Sequence, residues 1–242
     1  MAKKGQSRHL KRFALPAPIK IPRKSAVWAV KSGPGPHPAE GSAPLLIVVR
    51  DLLGLARTAR EAKRILKEGQ VLVDGRVRKD PKFPVGLMDV VQIPAMGKNY
   101  RVLYDRRGQL KLNEISDEEA SFKLCKVVGK SMVKGGKIQL AFHDGKTSIG
   151  DFEDFHLGDT AKVTLPDFRV SERIGFEKGA KAIIIGGRNV GKVGEIEGIR
   201  CAGGRRAMEI VDLRENGTHF QASRGYVFAI GKKEPLISIP GD

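Results

Sequence analysis

The stretch 57–80, R-T-A-R-E-A-K-R-I-L-K-E-G-Q-V-L-V-D-G-R-V-R-K-D, constrains the fold more than any other part of the chain. Thr58 is placed to cap a helix, and Glu61 three residues later completes a capping box. Gly69 is placed to end that helix at its C′ position. Within it Arg60, Lys63, Arg64 and Lys67 recur at i, i+3, i+4 and i+7, so the four cations share one face. Ala59, Ala62, Ile65 and Leu66 occupy the opposite face and pack inward. Val71 and Val73 then alternate up to Asp74-Gly75, a tight-turn pair, after which Arg76, Arg78 and Lys79 return. A small helix and hairpin thus carry a dense cationic surface suited to phosphates.

The balance of charge extends the same reading. The 242 residues hold 44 Lys+Arg against 27 Asp+Glu, a formal net charge of +17. An excess of this size, clustered along the chain, points to a polyanion partner, because each neutralised phosphate releases condensed counterions. A hydrophobic content of 40% supports folded cores, and the length predicts two or three compact units. Cys125 and Cys201 have no CxxC partner and read as buried or idle thiols of a reducing compartment. The apolar run 45–49 is too short to span a bilayer. His9, His37, His143, His156 and His219 are scattered without metal-ligand spacing, so the sequence asks for no metal and no other cofactor.

Residues 1–42 form a basic, Pro/Gly-rich extension. Lys3, Lys4, Arg8, Lys11, Arg12, Lys20, Arg23, Lys24 and Lys31 face one acid, Glu40. A-L-P-A-P-I-K-I-P and S-G-P-G-P-H-P exclude a regular core element, and a transit peptide would need an amphipathic helix that is absent. The expectation is an arm that is mobile when free and orders against RNA. The second segment, 43–112, opens at Pro44. Leu45, Leu46, Val48, Val49, Leu52 and Leu53 follow a helical stripe to Gly54, and strands are expected at 89–93, 100–104 and 109–112. A β-rich third segment, 113–172, places strands at 123–128, 137–142, 147–149 and 161–165, with turns at Gly135-Gly136 and Asp144-Gly145. The fourth, 173–242, places them at 180–185, 194–199, 208–213 and 226–230, with a turn at Asn216-Gly217. The class is α+β, and each of the last two segments is expected to form a small β-barrel.

Two motifs near the end compete for one segment. In A-I-I-I-G-G-R-N-V-G-K-V-G-E-I-E-G-I, Gly186, Gly191 and Lys192 match a phosphate-binding loop, but Val193 replaces the magnesium-holding Ser/Thr. Residues 193–199 alternate like a strand, where a nucleotide site needs a helix N-terminus. Nucleotide hydrolysis is therefore not expected. The same residues resemble a KOW motif, found in SH3-like barrels of ribosomal proteins and transcription factors. That resemblance implies a loop on which Arg188, Asn189 and Lys192 approach RNA. Gly129-Lys130-Ser131 lacks the first loop glycine, since position 124 is Leu. Asp151, Glu153 and Asp154 read as a solvated loop, and no nucleophile–base set stands out.

The opening module resembles the S4-type RNA-binding domain of ribosomal S4-like proteins, some pseudouridine synthases and tyrosyl-tRNA synthetases. The pattern R-T-x-x-E-A-x-x-I-L-x-x-G-x-V-x-V-D-G is carried by Arg57, Thr58, Glu61, Ala62, Ile65, Leu66, Gly69, Val71, Val73, Asp74 and Gly75. With the basic arm before it and a β-rich middle and KOW-like unit after it, the whole chain resembles the S4e family of small-subunit ribosomal proteins. The short stretch after the last unit resembles the archaeal form of that family more than the eukaryotic one. The resemblance implies a non-catalytic constituent of the small subunit, in the cytoplasm, partnered by rRNA and by neighbouring ribosomal proteins. The site residues it implies are Arg57, Thr58, Arg60, Lys63, Arg64, Lys67, Arg76, Arg78 and Lys79, with Lys3, Lys4, Arg8, Lys11, Arg12, Arg23 and Lys24 of the arm and Arg188, Asn189 and Lys192 of the loop.

The competing function is an RNA-modifying enzyme with an appended module of this type. That class needs a large catalytic domain with an aspartate in a string such as G-R-L-D, which the sequence lacks. A KOW-type transcription factor would leave the helix and hairpin unexplained. With aromatic residues at 6%, base-stacking platforms are few and electrostatic contacts dominate. Replacing Arg60 and Arg64 together by Ala is expected to lower the slope of log K against log salt by roughly 1.5 for single-stranded RNA. An unchanged slope in a filter-binding titration would remove this helix face from the RNA.

Overall fold

The computed structural model describes residues 7, 9–22, 24–202, 208–215 and 217–239. In the N-terminal segment β1 (Leu10–Lys11) pairs antiparallel with β2 (Trp28–Ala29), and a single 3-10 turn spans Arg12–Ala14. Ile19 and Ile21 are buried in the same apolar cluster as Leu45, Leu46 and Val49. The described part of the arm is therefore folded onto the protein, contrary to the expectation of a mobile tail. Pro16 and Pro22 each open a turn, closed by the N–H groups of Ile19 and Ser25, so the arm inserts two isoleucines without a helix or a ladder.

The helix–hairpin unit begins with β3 (Ser42–Pro44), paired with β6 (Pro84–Gly86). Helix α1 (Leu45–Ile47) continues as a π turn, Val48–Leu52, where Leu53 N–H donates to the Val48 carbonyl at 2.9 Å. Leu45 through Val49 are all buried, so the expected stripe is a helix enclosed on every side. Helix α2 (Ala59–Glu68) has the full capping box at Thr58 and Glu61 and closes at Gly69, which has φ 80°. β4 (Leu72–Val73) and β5 (Arg76–Val77) meet through Asp74 and Gly75, both left-handed with φ 52° and 73°. With β7 (Val90–Ile93), β8 (Lys98–Tyr104) and β9 (Leu110–Ile115) they make a sheet ordered β5-β4-β7-β8-β9. β9 thus runs past position 112.

A short helix, α3 (Asp117–Ala120), links this sheet to the next and is capped by Ser116, whose hydroxyl accepts the Glu119 N–H. The third segment is a sheet ordered β12-β11-β10-β13-β14, built from β10 (Phe122–Met132), β11 (Ile138–Phe142), β12 (Thr147–Gly150), β13 (Thr160–Thr164) and β14 (Arg169–Ile174). The fourth is ordered β18-β17-β16-β15-β19, from β15 (Lys181–Ile184), β16 (Val193–Ala202), β17 (Met208–Glu215), β18 (Thr218–Ser223) and β19 (Val227–Gly231). β14 and β18 carry no sequence signal because both are edge strands with mainly solvated side chains. Asn216, expected in a turn, lies outside the described residues. Cys125 is buried in the third segment's core, whereas Cys201 is exposed, and both are free thiols.

The units share cores instead of standing apart. Leu87, Met88 and Leu103 of the second segment pack with Leu124 of the third and with Ile183, Val211 and Phe228 of the fourth. Between the second and third segments lies an ion cluster whose centre, Lys123, is fully buried. Lys123 Nζ on β10 donates to Asp74 at 2.9 Å, Asp89 at 2.5 Å and Asp144 at 3.2 Å. His37 of the arm donates from Nε2 to the same Asp89 oxygen at 2.9 Å, and Lys146 reaches Asp74 at 2.9 Å. Burial alone would push Lys123 down, but Asp89, Asp74 and Asp144 hold its pKa well above the ordinary lysine value. Burial would likewise raise Asp89 and Asp144, yet Lys123 leads the charges that keep both below the usual carboxylate range.

Two further buried cations join the segments. Lys126 Nζ donates to the carbonyls of Arg224, Gly225 and Val227, and burial pushes its pKa down to about 8. Arg101 donates to the Glu119 and Phe122 carbonyls at 2.8 and 3.0 Å and lies 3.2 Å from Glu119 Oε1, while the Glu119 carboxylate also accepts from Ser238.

Replacing Lys123 by Met removes the one cation common to three buried carboxylates and is expected to cost about 3–5 kcal/mol at pH 7. In urea denaturation the gap to the native protein should narrow toward pH 4. Acidification first relieves the variant's unpaired buried carboxylates, whose protonation sets in above the usual range. Below about pH 4 it also erases what ionised Asp89 and Asp144 contribute natively. A gap independent of pH would show that the cluster does not act through charge. A second expectation concerns His143, which burial, ahead of nearby Lys123, pushes down to about 4. The unfolded chain then takes up its proton first, so stability should fall as pH drops from about 6.5 to 4. His143→Gln should flatten that part of the denaturation profile.

Candidate nucleic-acid interface

Helix α2 turns its cations outward because its other face is committed. Ala62 and Leu66 are fully buried, and Ile65 packs against the same core. Arg60, Lys63, Arg64 and Lys67 are all exposed and, with Glu68, line one shallow depression. Arg64 Nε donates to Glu68 Oε1 at 2.9 Å. Such an exposed i,i+4 pair is weakly held, so a phosphate can displace the carboxylate. Arg57 stands exposed at the helix start, where its N–H and that of Thr58 donate to Glu61 Oε2. These two bonds, Arg57 first, lower the Glu61 pKa and keep it charged at the positive end of the helix. The Thr58 hydroxyl accepts the Glu61 N–H, so among the expected site residues Thr58 serves as the cap.

The hairpin supplies the adjoining edge. Arg76 and Lys79 are exposed. Arg78 is half-buried, with its guanidinium carbon 4.6 Å from the centre of the Phe83 ring. Its buried Nε has no hydrogen-bond partner among the described residues. Asp74 does more than make the turn: one carboxylate oxygen accepts the Val90 N–H at 3.1 Å and the other takes Lys123 and Lys146. The hairpin is thereby pinned at its tip, which holds Arg76 and Arg78 in place.

The remaining expected residues divide. Lys11 and Lys24 are exposed on the arm. Arg12 is buried, and its Nε donates to the Pro22 carbonyl at 3.2 Å, so it braces the arm from within. Lys3, Lys4, Arg8 and Arg23 lie outside the described residues. In the loop between β15 and β16, Arg188 is exposed. Asn189 donates to the Gln221 carbonyl and accepts from Lys192, whose ammonium lies 5.2 Å from the Phe220 ring centre. Those two residues hold the loop to β18. The loop is also docked: a side chain at Gly191 would run into the Asp105 carbonyl of the β8–β9 turn. Beside it opens a groove of about 830 Å³, with Lys20, Arg107 and Lys111 above Leu52, Leu53 and Tyr100.

A second groove joins the arm to α2. It is lined by His9, Trp28, Lys31, Lys63, Lys82 and neighbouring apolar residues. Lys63 therefore belongs both to the cationic face of the helix and to this groove. The sequence signals neither Trp28 nor Lys82 as part of a site, because Trp28 sits on a two-residue strand and Lys82 in a turn, and neither belongs to a periodic pattern.

Comparison with known proteins agrees with this geometry. A model described as Ribosomal family S4e matches residues 96–170, an S4 domain matches 44–91, and an RS4NT domain matches 4–40. Small ribosomal subunit protein eS4 of Methanothermobacter thermautotrophicus is 47% identical, over 100% of this chain and 99% of its own. The protein of the same name from Methanocaldococcus jannaschii is 45% identical over 99% of this chain and 100% of its own. The crystal structure of the 30S ribosomal protein S4e from Thermoplasma acidophilum, 40% identical, superposes with a TM-score of 0.69 and covers 79% of this chain and 96% of that one. Identity sustained from the arm to the last sheet, on a capped helix and hairpin that an S4 domain model matches, makes this chain a member of the S4e family of ribosomal proteins.

Proposed function

We propose that this protein is a structural constituent of the small ribosomal subunit, working in the cytoplasm as part of the ribosome and binding rRNA through several basic surfaces. The observation that carries the reading is the α2 face, where Arg60, Lys63, Arg64 and Lys67 stand exposed on a helix whose inner side is fully packed, in a chain of the S4e family. Arg57, Arg76, Arg78 and Lys79 extend the grip along the hairpin, and Lys11, Lys24 and Arg188 add points farther away. These contacts position the protein on folded RNA and carry little sequence information. The ribosomal role is non-catalytic, in keeping with membership of a family of ribosomal proteins.

The fourth segment is read as the KOW-type, SH3-like unit of this protein. Support comes from a loop between two strands, with Gly187 and Gly191 at φ 81° and 78° and Arg188 outward. Neighbouring proteins of the small subunit are the expected protein partners.

The native protein is expected to sediment with the small subunit from cell extract at moderate salt and to be released as salt is raised. Protein running free at moderate salt would defeat the ribosomal reading. Reversing charge with Arg60→Glu and Lys63→Glu should weaken rRNA binding at least tenfold without lowering the melting temperature, since both side chains are exposed.

A further inference from the structure

We propose that Trp28 is a stacking site for an unpaired nucleobase, with Lys63 and Lys82 holding the adjoining phosphates. The inference rests on the rRNA-binding reading and adds to it a contact of another chemical kind. Trp28 is the only tryptophan of the chain, and it is 57% exposed on a two-stranded ribbon. Its register partner is Lys11, so the lysine stem and the indole leave the ribbon on one side. The His9 ring lies 5.7 Å away, tilted by 56°.

The groove beside Trp28 holds about 210 Å³ and is lined by three lysines, Lys31, Lys63 and Lys82, and by no Asp or Glu. Lys31 is committed to the Ser7 carbonyl at 2.7 Å, and Lys63 and Lys82 are exposed. Through Lys63 the groove continues into the depression that Arg60, Arg64 and Lys67 share. An apolar protein surface would meet, beside this indole, the ammonium groups of Lys63 and Lys82, neither of which has a carboxylate partner among the described residues. A single-stranded nucleotide instead offers a flat π face for the indole and a phosphate for each ammonium. Aromatic residues bordering a cationic track are the means by which single strands are held without base-specific hydrogen bonds. A base inside an intact helix has no free face to offer.

Because the chain has one tryptophan, its emission reports this site alone. The full-length protein is titrated with single-stranded polyuridylate and, separately, with a blunt RNA duplex. Emission should be quenched by the single strand and little changed by the duplex. Trp28→Ala should weaken polyuridylate binding about tenfold and Trp28→Phe no more than about threefold, both with the salt slope unchanged, because stacking displaces no counterions. Lys63→Ala plus Lys82→Ala should instead lower that slope by about 1.4. Equal quenching by duplex, or full affinity in Trp28→Ala, overturns the proposal. So does emission that RNA leaves unmoved but that shifts in the assembled subunit, since a neighbouring protein would then cover the indole. A steep salt slope with silent Trp28 emission would defeat only the stacking site. Absence of salt-dependent binding would defeat the functional reading itself.

Discussion

The ammonium of Lys123 is the point on which the architecture turns. It sits fully buried among Asp74, Asp89 and Asp144. Asp74 shapes the tip of the β4–β5 hairpin, and Asp144 shapes the turn after β11. Asp89 precedes β7 and also binds His37 of the arm and the Gly86 N–H. One charge therefore couples the arm, the helix–hairpin unit and the third segment. Isolated ions of this kind are expensive to bury, and the arrangement holds only because every carboxylate also accepts a second donor. Gly86 belongs to the same device, since any side chain there would collide with the His37 ring.

This coupling bears on how the proposed RNA-binding surface is held. A cationic surface helps binding most when it is already in place, because ordering flexible side chains and loops costs free energy on association. Helix α2 is rigid through its cap and its buried face. The hairpin is rigid because its turn aspartate is tied to Lys123 and Lys146, and the loop at Arg188 leans on the β8–β9 turn. Basic residues from distant parts of the chain are thus presented on a single packed body.

The positive charge of the chain accordingly does two jobs. Arg12, Arg101, Lys123 and Lys126 are interior struts that satisfy backbone carbonyls or carboxylates. Arg60, Lys63, Arg64 and Lys67 are surface groups. In the sequence the two kinds look alike. Those on α2 can be placed because a helical period sorts them from Ala62 and Leu66. Lys123 and Lys126 stand in a strand whose alternation says nothing of what lies across it.

Local chemistry is what the sequence determines by itself. The capping box at Thr58 and Glu61, the stop at Gly69, the Asp74-Gly75 turn and the α1 stripe all depend on residues within a few positions of one another, and each has its counterpart in the structure. The cap at Ser116 could have been read the same way, from Glu119 three residues on. Only the tertiary structure decides the fate of the arm, the burial of Arg12 and the second use of Asp74. It alone decides the pairing of polar edge strands such as β14 and β18, and it alone brings Trp28 beside Lys63. Those outcomes rest on partners dozens of residues apart, such as His37 with Asp89 and Lys123 with Asp74. Whether a charge or an indole ends inside or outside is set by what packs over it, and no short-range pattern carries that information.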